Sequence, residues 1–250
     1  MVRCCLAYAV AVVFTSTAPQ AFAQTAPRAV VELFTSQGCS SCPAADKLLG
    51  QLAADPSLVP ISVPIDYWDY LGWKDTLADP RHTARQKAYA YARGDGQVYT
   101  PQAVVNGSLH ALGSDRSAIE HAIAKSRKIG AMSLPAVKLA VADGRLHVAV
   151  PDAADPRAVA EVWLCGLVKA ATVAIGRGEN KGRTVTYNNV VRRWIKLGDW
   201  SGKANAWSVP VQTLKGDDKG EGIDEAAVLV QSGTKEKPKA ILGAALAALH

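Results

Sequence analysis

Two cysteines separated by two serines carry the clearest chemical signal in this sequence. The segment TSQGCSSCPAAD, residues 35–46, places Cys39 and Cys42 three positions apart, just before a helical pattern. A cysteine attacks as its thiolate, and the free N–H groups and dipole at a helix N-terminus stabilise that charge. The spacing therefore indicates a working dithiol, in which Cys39 attacks a substrate and Cys42 resolves the mixed disulfide.

Two other interpretations of the cysteine pair stay open. One is a structural disulfide, although so small a loop gains little entropy on closure. The other is metal binding: two thiolates supply half of a tetrahedral zinc site, whereas copper(I) accepts fewer soft ligands. His82 and His110 are the nearest candidates to complete a metal site, and neither has motif spacing.

The first half of the sequence alternates strand and helix patterns around this pair. RAVVELFTS is a continuous apolar run, typical of a strand buried on both faces, and Pro43 suits the first turn of the following helix. A second strand and helix, a hairpin at Asn106–Gly107 and a helix ending at Gly130 complete a β-α-β-α-β-β-α order. This order predicts a thioredoxin-like α/β domain over residues 24–130, with the cysteines where the first strand meets the first helix.

The second half of the sequence has strand patterns. PAVKLAVADGRLHVAVP predicts a hairpin that turns at Asp143–Gly144, and four later segments also read as strands. We expect an antiparallel β-sandwich of about seven strands in a second domain, residues 133–250. The composition of PKAILGAALAAL favours a terminal helix, whereas its position after a hairpin-like turn favours a strand.

Three residues in the first half are candidates to support the dithiol. Pro101 opens the third strand, where thioredoxin-like folds hold a cis-proline, and its missing N–H leaves the backbone of Thr100 free to pair with a substrate peptide. Glu32 lies in the apolar run VVELF, where burial would favour its protonated form and let it carry the proton of the resolving thiol. Glu32 can instead point to an open sheet edge or pair with a nearby base.

Two loops add candidates for substrate contact. DYWDYLGWKD, residues 66–75, follows the second strand, so Trp68 and Tyr70 can wall a peptide-binding groove or pack against the β-rich half. GRGENKG, residues 176–182, lacks the Gly-Lys-Ser/Thr of a phosphate loop and predicts a long hairpin loop. An alternative role for its basic residues and for Arg183 is to dock an anionic group.

Four segments together carry a family resemblance. VVELFTSQGCSSCPAAD, IDYWDYLGWKD, YTPQAVVNG and GENKGRTVTYNNVVR resemble a thioredoxin-like family of secreted bacterial proteins known only as a domain of unknown function. The resemblance covers nearly the whole mature chain and implies a Cys-Ser-Ser-Cys-Pro domain paired with a β-rich second domain. The wider thioredoxin superfamily implies the roles given above to Cys39, Cys42 and Pro101.

The sequence departs from thioredoxin in two places. Thioredoxin's buried acid falls at the position of Leu33, so Glu32 is one residue away and can face the other side of the sheet. Ser40–Ser41 lacks the histidine of strong oxidants and the Gly-Pro of thioredoxin. The resemblance therefore leaves the redox potential open.

The first residues have the order of a secretory signal peptide. Arg3 gives a positive start, an apolar run from Cys4 to Phe14 follows, and an Ala-x-Ala motif ends at Ala23. The apolar run is shorter than the about 20 residues that a spanning helix needs. We expect cleavage after Ala23 and a periplasmic or secreted chain without a membrane span, in a compartment that permits disulfides. An uncleaved membrane anchor is the alternative.

Cysteine count and net charge argue against two classes of protein, disulfide-stapled mini-proteins and nucleic-acid-binding proteins. Removal of residues 1–23 takes away Arg3, lowers the formal charge from +6 to +5, and leaves Cys39, Cys42 and Cys165. Three cysteines are too few for a disulfide-stapled mini-protein, and Cys165 is expected to be a buried core thiol. The charge is modest and spread along the chain, so we expect no nucleic-acid partner.

These patterns predict an extracytoplasmic thiol–disulfide oxidoreductase acting on protein or peptide thiols. The reaction needs neither an organic cofactor nor a metal, but a separate redox partner must reset the dithiol after each turnover. Two hypotheses of other classes remain: a module that binds copper(I) through the two thiolates, and a non-catalytic interaction protein with a structural disulfide.

Overall fold

The structure, a computed structural model, describes residues 25–216 and 222–249. The predicted signal peptide, residues 1–23, lies outside the described residues. Within them the elements are β1 (Ala29–Thr35), α1 (Cys42–Leu52), β2 (Leu58–Pro64), α2 (Pro80–Arg93), β3 (Gln102–Val105), β4 (Leu109–Leu112), α3 (Arg116–Lys128), β5 (Lys138–Ala142), β6 (Arg145–Val150), β7 (Ala160–Ala174), β8 (Thr184–Trp200), β9 (Asn205–Pro210), α4 (Gln212–Lys215), β10 (Glu225–Thr234) and β11 (Lys237–Ala248). None of these helices is both long and apolar enough to cross a membrane.

The strands form two sheets. Eight of them make one mixed sheet in the order β11-β10-β7-β8-β2-β1-β3-β4, and three make a second sheet in the order β5-β6-β9. In the larger sheet β1 is parallel to β2 and antiparallel to β3. The two halves of the chain join where β8 runs parallel to β2, at the residue pair Ser62–Val190.

The fold class predicted from the sequence, a thioredoxin-like α/β domain followed by a β-sandwich-like domain, is wrong. Strands from both halves share one sheet, so the β-rich half is not a sandwich set apart from the first half. A buried apolar cluster also crosses the junction, with Phe34 and Ile61 from one half and Cys165 and Leu229 from the other. Local sequence patterns predict strands but not which distant strands pair. Because β8 pairs with β2, the two halves that the sequence predicted as separate domains share one sheet.

Several local predictions are confirmed. Asn106 and Gly107 have the positive φ angles, 49° and 67°, that their hairpin turn requires. The α2 helix ends at Gly94 in the left-handed conformation, φ 76°. The last segment of the chain is a strand, β11, which resolves its ambiguous composition.

The prolines of β2 limit its pairing without placing it at an edge. β2 lies inside the sheet, between β8 and β1, yet within the described residues it meets β8 through a single residue pair. Proline has no N–H to donate, so a ladder is sparse around Pro60 and Pro64. The side-chain amide of Asn189 compensates in part by donating to the Pro60 carbonyl, 2.8 Å away.

Successive residues of β1 face two different cores. Val31 and Leu33 pack with Leu49 of α1, in the cluster that also contains residues of α3. Val30 and Phe34 point the other way and pack with Tyr89 of α2. Because side chains alternate along a strand, this register decides which face each polar residue of β1 occupies.

Candidate functional site

The predicted cysteine pair forms a disulfide at the start of α1. The Cα atoms of Cys39 and Cys42 lie 5.4 Å apart, and Cys42 is the first residue of the helix. Pro43 occupies the first helical turn, as predicted, where a missing N–H leaves no bond unmade. The third described cysteine, Cys165, is a free buried thiol, and burial raises its pKa.

The disulfide is almost completely covered. Cys39 is 1% exposed and Cys42 is 0% exposed, although Ser40 and Ser41 between them are exposed. The Ser41 hydroxyl lies 3.4 Å from Cys39 Sγ, where it can donate to a thiolate once the disulfide is reduced. A substrate sulfur can therefore reach Cys39 only after covering atoms move aside.

The loop between β7 and β8 is bonded to the backbone of the disulfide turn. We call residues 176–182 the cap loop. The side-chain amide of Asn180 donates to the carbonyl oxygens of Gln37 and Cys39, at 2.9 and 2.8 Å. Glu179 accepts a hydrogen bond of 3.2 Å from the backbone N–H of Ser40. Sequence reasoning predicted a hairpin loop here and missed its contact with the cysteines, because no local signal marks it.

A tryptophan braces the cap loop against the disulfide turn. Trp73 Nε1 donates to the side-chain carbonyl of Gln37, 2.8 Å away. A Cβ atom on Gly176 would lie 3.0 Å from the Trp73 ring, so glycine lets the loop lie directly against the indole. Gln37 thus links the turn that precedes Cys39 to both Trp73 and the cap loop.

A buried carboxyl group lies one helical turn beyond Cys42. Asp46 is 1% exposed, and at four residues' separation its side chain shares a face of α1 with Cys42. Neither carboxyl oxygen has a hydrogen-bond partner within residues 25–216 and 222–249. Burial, reinforced by the negative charge of Asp75, raises the pKa of Asp46 to about 8, although the nearby Thr35 hydroxyl favours the ionised form. The spacing of an acid inside an apolar helix face was the signal that sequence reasoning overlooked.

Asp75 is the second buried acid of this region, and its role is mainly structural. It accepts hydrogen bonds from the backbone N–H groups of Gln37, Leu77 and Ala78. Burial raises its pKa to about 6 in spite of these bonds. Asp75 therefore fixes the turn before Cys39, whereas neither carboxyl oxygen of Asp46 is used in such a bond.

Glu32 is buried in an ion pair on the face of β1 opposite α1. It forms an ion pair of 2.8 Å with Arg85 and accepts a hydrogen bond from the Tyr89 hydroxyl. Arg85 also donates to Gln231 of β10, 2.9 Å away. The alternative prediction, that Glu32 pairs with a nearby base, is therefore confirmed by Arg85. Glu32 lies on the face of β1 that packs against α2, whereas α1 packs on the opposite face.

Of the residues predicted to contact substrate, Thr100 and Trp68 lie beside the disulfide turn and Tyr70 is exposed. The Thr100–Pro101 peptide bond is cis, as expected. Trp68 Nε1 donates to the Thr100 hydroxyl at 2.8 Å, and a Cβ on Gly38 would lie 3.0 Å from Trp68 Cβ. Trp68 and Thr100 therefore sit beside the disulfide turn, whereas Tyr70 is 79% exposed.

The histidines considered as metal ligands have other partners. His82 Nδ1 bonds to the Pro64 carbonyl at 2.8 Å, and burial lowers the pKa of His82 to about 4. His110 contacts the Tyr99 hydroxyl and Asp95. Across the part of the chain that the structure describes, no three His, Cys, Asp or Glu side chains cluster closely enough to hold a metal ion.

Comparison with models of known protein families identifies the family of this chain. The chain matches the model of the family described as "Protein of unknown function (DUF1223)" over residues 30–231. The chain belongs to the DUF1223 family. The predicted membership of a family of unknown function is thereby confirmed, while the match says nothing about kinship with thioredoxin. No curated protein matches the DUF1223 chain.

Two solved structures are similar to this DUF1223 protein. The crystal structure of protein AGR_C_4864 from Agrobacterium tumefaciens is 31% identical, with a TM-score of 0.78 over 91% of this chain and 97% of that chain. HBP35 of Porphyromonas gingivalis is 14% identical, with a TM-score of 0.59 over 90% of this chain and 76% of that chain. The second likeness concerns the fold alone.

Proposed function

We propose that this DUF1223 protein is a thiol–disulfide oxidoreductase that acts on protein or peptide thiols outside the cytoplasm. The observation that carries the proposal is the disulfide at the start of α1 with an unpartnered buried acid, Asp46, one turn beyond it. Two predictions from the sequence also support the proposal. The Cys-Ser-Ser-Cys segment resembles thioredoxin-type redox motifs, and the predicted signal peptide directs the chain out of the cytoplasm.

The reducing direction can be written with its electrons and protons balanced. The Cys39 thiolate, stabilised by the N-terminus of α1, attacks a substrate disulfide and forms a mixed disulfide, and the first substrate thiolate leaves and takes a proton from water. The Cys42 thiol then gives its proton to the Asp46 carboxylate and attacks Cys39 Sγ. The second substrate thiolate leaves, and the Cys39–Cys42 disulfide has formed. Two electrons pass to the substrate, and oxidation of a substrate dithiol is the reverse.

Asp46 suits the proton transfer because of its pKa. A base works best when its pKa lies near the ambient pH, and burial raises that of Asp46 to about 8. A second protein carrying a dithiol or disulfide must reset the pair, since one dithiol supplies electrons for one turnover.

A structural disulfide is the second candidate, and the low exposure of both cysteines favours it. The cap loop is bonded to the turn that the disulfide closes, so the bond can serve to hold that turn in shape. In that case the cysteines stay oxidised and exchange with no partner.

One experiment separates the two candidates. The Cys39–Cys42 pair is titrated in glutathione buffers and read by thiol alkylation and mass. We expect a reversible two-electron transition: a potential above about −200 mV marks an oxidant or isomerase, and one near −270 mV a reductant. A pair that stays oxidised beyond about −300 mV is structural and overturns the proposal.

Trapping gives an independent readout of the same proposal. Cys42→Ser should accumulate a mixed disulfide with a substrate thiol on Cys39, because the resolving thiol is gone. Cys39→Ser should trap nothing, and Cys165→Ser should behave as the wild type. Equal trapping by Cys39→Ser and Cys42→Ser would contradict the assigned roles.

A further inference from the structure

Exposed basic side chains border the covered disulfide. Lys47 projects from α1, Arg177 and Lys181 lie in the cap loop, and Arg183 follows it. Within residues 25–216 and 222–249 none of the four takes part in an ion pair or a side-chain hydrogen bond. The exposed acid among them, Glu179, is bonded to the backbone of Ser40. The rim of the site therefore carries an uncompensated positive charge.

Two of these cations, Lys47 and Arg183, line an open groove between α1 and the start of β8. Pro43 and Lys47 of α1 form one side, and residues 183–186 with Asn188 form the other. Pro43 directly follows Cys42, so the lining of the groove begins one residue beyond the cysteine pair. A Cβ atom on Gly50 would lie 2.6 Å from the Asn188 side chain, which shows that α1 and β8 close together at the far end.

The β8 side of the groove is an unpaired strand edge. Residues 184–188 pair with β7 on one side, whereas the pairing of β8 with β2 is at Val190. No other strand among the described residues pairs with residues 184–188. Such an edge presents alternate N–H and C=O groups to an extended peptide, the arrangement used in strand addition.

We infer that this groove binds an extended, acidic peptide segment of the substrate protein and brings a neighbouring cysteine to Cys39. The inference rests on the proposed function for the redox step only, because docking itself needs no reactive thiol. Complementary charge sets which segments bind and how fast they arrive. The backbone of β8 supplies contacts that do not depend on sequence, and the basic rim selects segments rich in Asp and Glu.

The first test measures binding without redox chemistry. Three matched fluorescent peptides carry Ser in place of Cys and have Glu, Gln or Lys at the flanking positions. At about 0.01 M salt we expect the Glu peptide to bind about tenfold tighter than the Gln peptide, through several weak exposed ion pairs, and the Lys peptide to bind weakest. At about 1 M salt, where the Debye length is about 3 Å, the three should converge.

Variants locate the binding surface. The double variant Lys47→Glu/Arg183→Glu should lose the preference for the Glu peptide, whereas Lys138→Glu, an exposed charge reversal on the second sheet, should keep it. Methylation of alternate peptide nitrogens should weaken binding about tenfold in one of the two registers, because an edge strand pairs with every second residue. Equal binding of Glu and Gln peptides, or an unchanged preference in the double variant, overturns the inference.

Two further arms keep this inference distinct from the proposed function. The double variant Cys39→Ser/Cys42→Ser should bind the Glu peptide as the wild type does, so a structural result in the glutathione titration leaves the docking result standing. A single-stranded oligonucleotide of equal charge should bind more weakly than the Glu peptide. An oligonucleotide that binds as tightly or more tightly assigns the rim to anions in general and overturns the peptide assignment.

Discussion

Asn180 donates a hydrogen bond of 2.8 Å to the carbonyl of Cys39, across 141 residues of sequence. The β-rich half of the chain is thus bonded to the turn that holds the cysteines of the other half. The same half contributes four strands, β7, β8, β10 and β11, to the shared sheet. The cap loop joins β7 to β8, so both of its ends are held by strands of this sheet. We therefore expect access to the disulfide to depend on how firmly this short loop is held.

Replacing Asn180 tests how strongly the cap loop is held. Asn180→Ala removes both bonds to the disulfide turn. The carbonyl of Gln37 loses its Asn180 donor, whereas that of Cys39 still accepts a hydrogen bond from the backbone N–H of Cys42. Leaving buried polar groups unsatisfied costs about 1–3 kcal/mol, so the free energy of unfolding should fall by that amount in urea. In the reduced protein, alkylation of Cys39 should become faster. Asn205→Ala, at an exposed position, is the matched control, and equal alkylation rates in all three proteins would show that the loop does not limit access.

Asp46 should give stability a particular dependence on pH. Its pKa is raised to about 8 in the fold from an ordinary 3.8, so the folded protein binds this proton more tightly than the unfolded chain does. The resulting stability is fully present below pH 3.8 and is lost as pH rises toward 8, with a slope of up to about 1.4 kcal/mol per pH unit. The difference in free energy of unfolding between wild type and Asp46→Asn should follow that slope. A flat difference for Asp46→Asn would refute a raised pKa.

The same variant should slow the step that forms the Cys39–Cys42 disulfide. Asp46→Asn removes the proposed acceptor of the Cys42 proton, and loss of such a group costs about 10²–10⁴ in rate. The mixed disulfide with Cys39 should therefore persist at neutral pH in stopped-flow experiments. The rate should recover above the pKa of the free thiol, where Cys42 ionises unaided. A defect that is the same at every pH would indicate a purely structural effect.

The parts of the site that are local in sequence were predictable, and those that depend on distant pairing were not. The position of Cys42 at a helix start follows from Pro43 and the apolar spacing of α1. The face of Glu32 was uncertain by one residue, because a shift of one position along a strand reverses its side chain. Asn180 carries no local signal of its partner, since its role exists only once β8 has joined β2. Asp46 was predictable from its four-residue separation from Cys42.

The ion pair of Glu32 with Arg85 should matter for stability and not for redox chemistry. Arg85→Met leaves the Glu32 carboxylate buried without its cation, which typically costs about 3–5 kcal/mol. Chemical denaturation should show that loss, while the glutathione titration of the disulfide should be unchanged in the folded variant. Arg157→Met, which breaks an exposed pair with Asp155, should leave unfolding almost unaltered. A shifted redox potential in Arg85→Met would restore a functional role to this pair.

Trp68 and Tyr70 should separate in their effects on substrate. Trp68 lies against the disulfide turn and bonds to Thr100, so Trp68→Ala should raise the KM for a peptide disulfide and leave kcat less affected. Trp68→Phe keeps a ring but loses the hydrogen bond, and should fall between wild type and Trp68→Ala. Tyr70→Ala should change KM least, because the Tyr70 side chain is exposed away from that contact. Urea midpoints close to wild type are needed for each variant, since Trp68 also packs against a buried cluster. If KM is unchanged in a folded Trp68→Ala, the indole is packing only, and the groove along β8 must provide the substrate contacts alone.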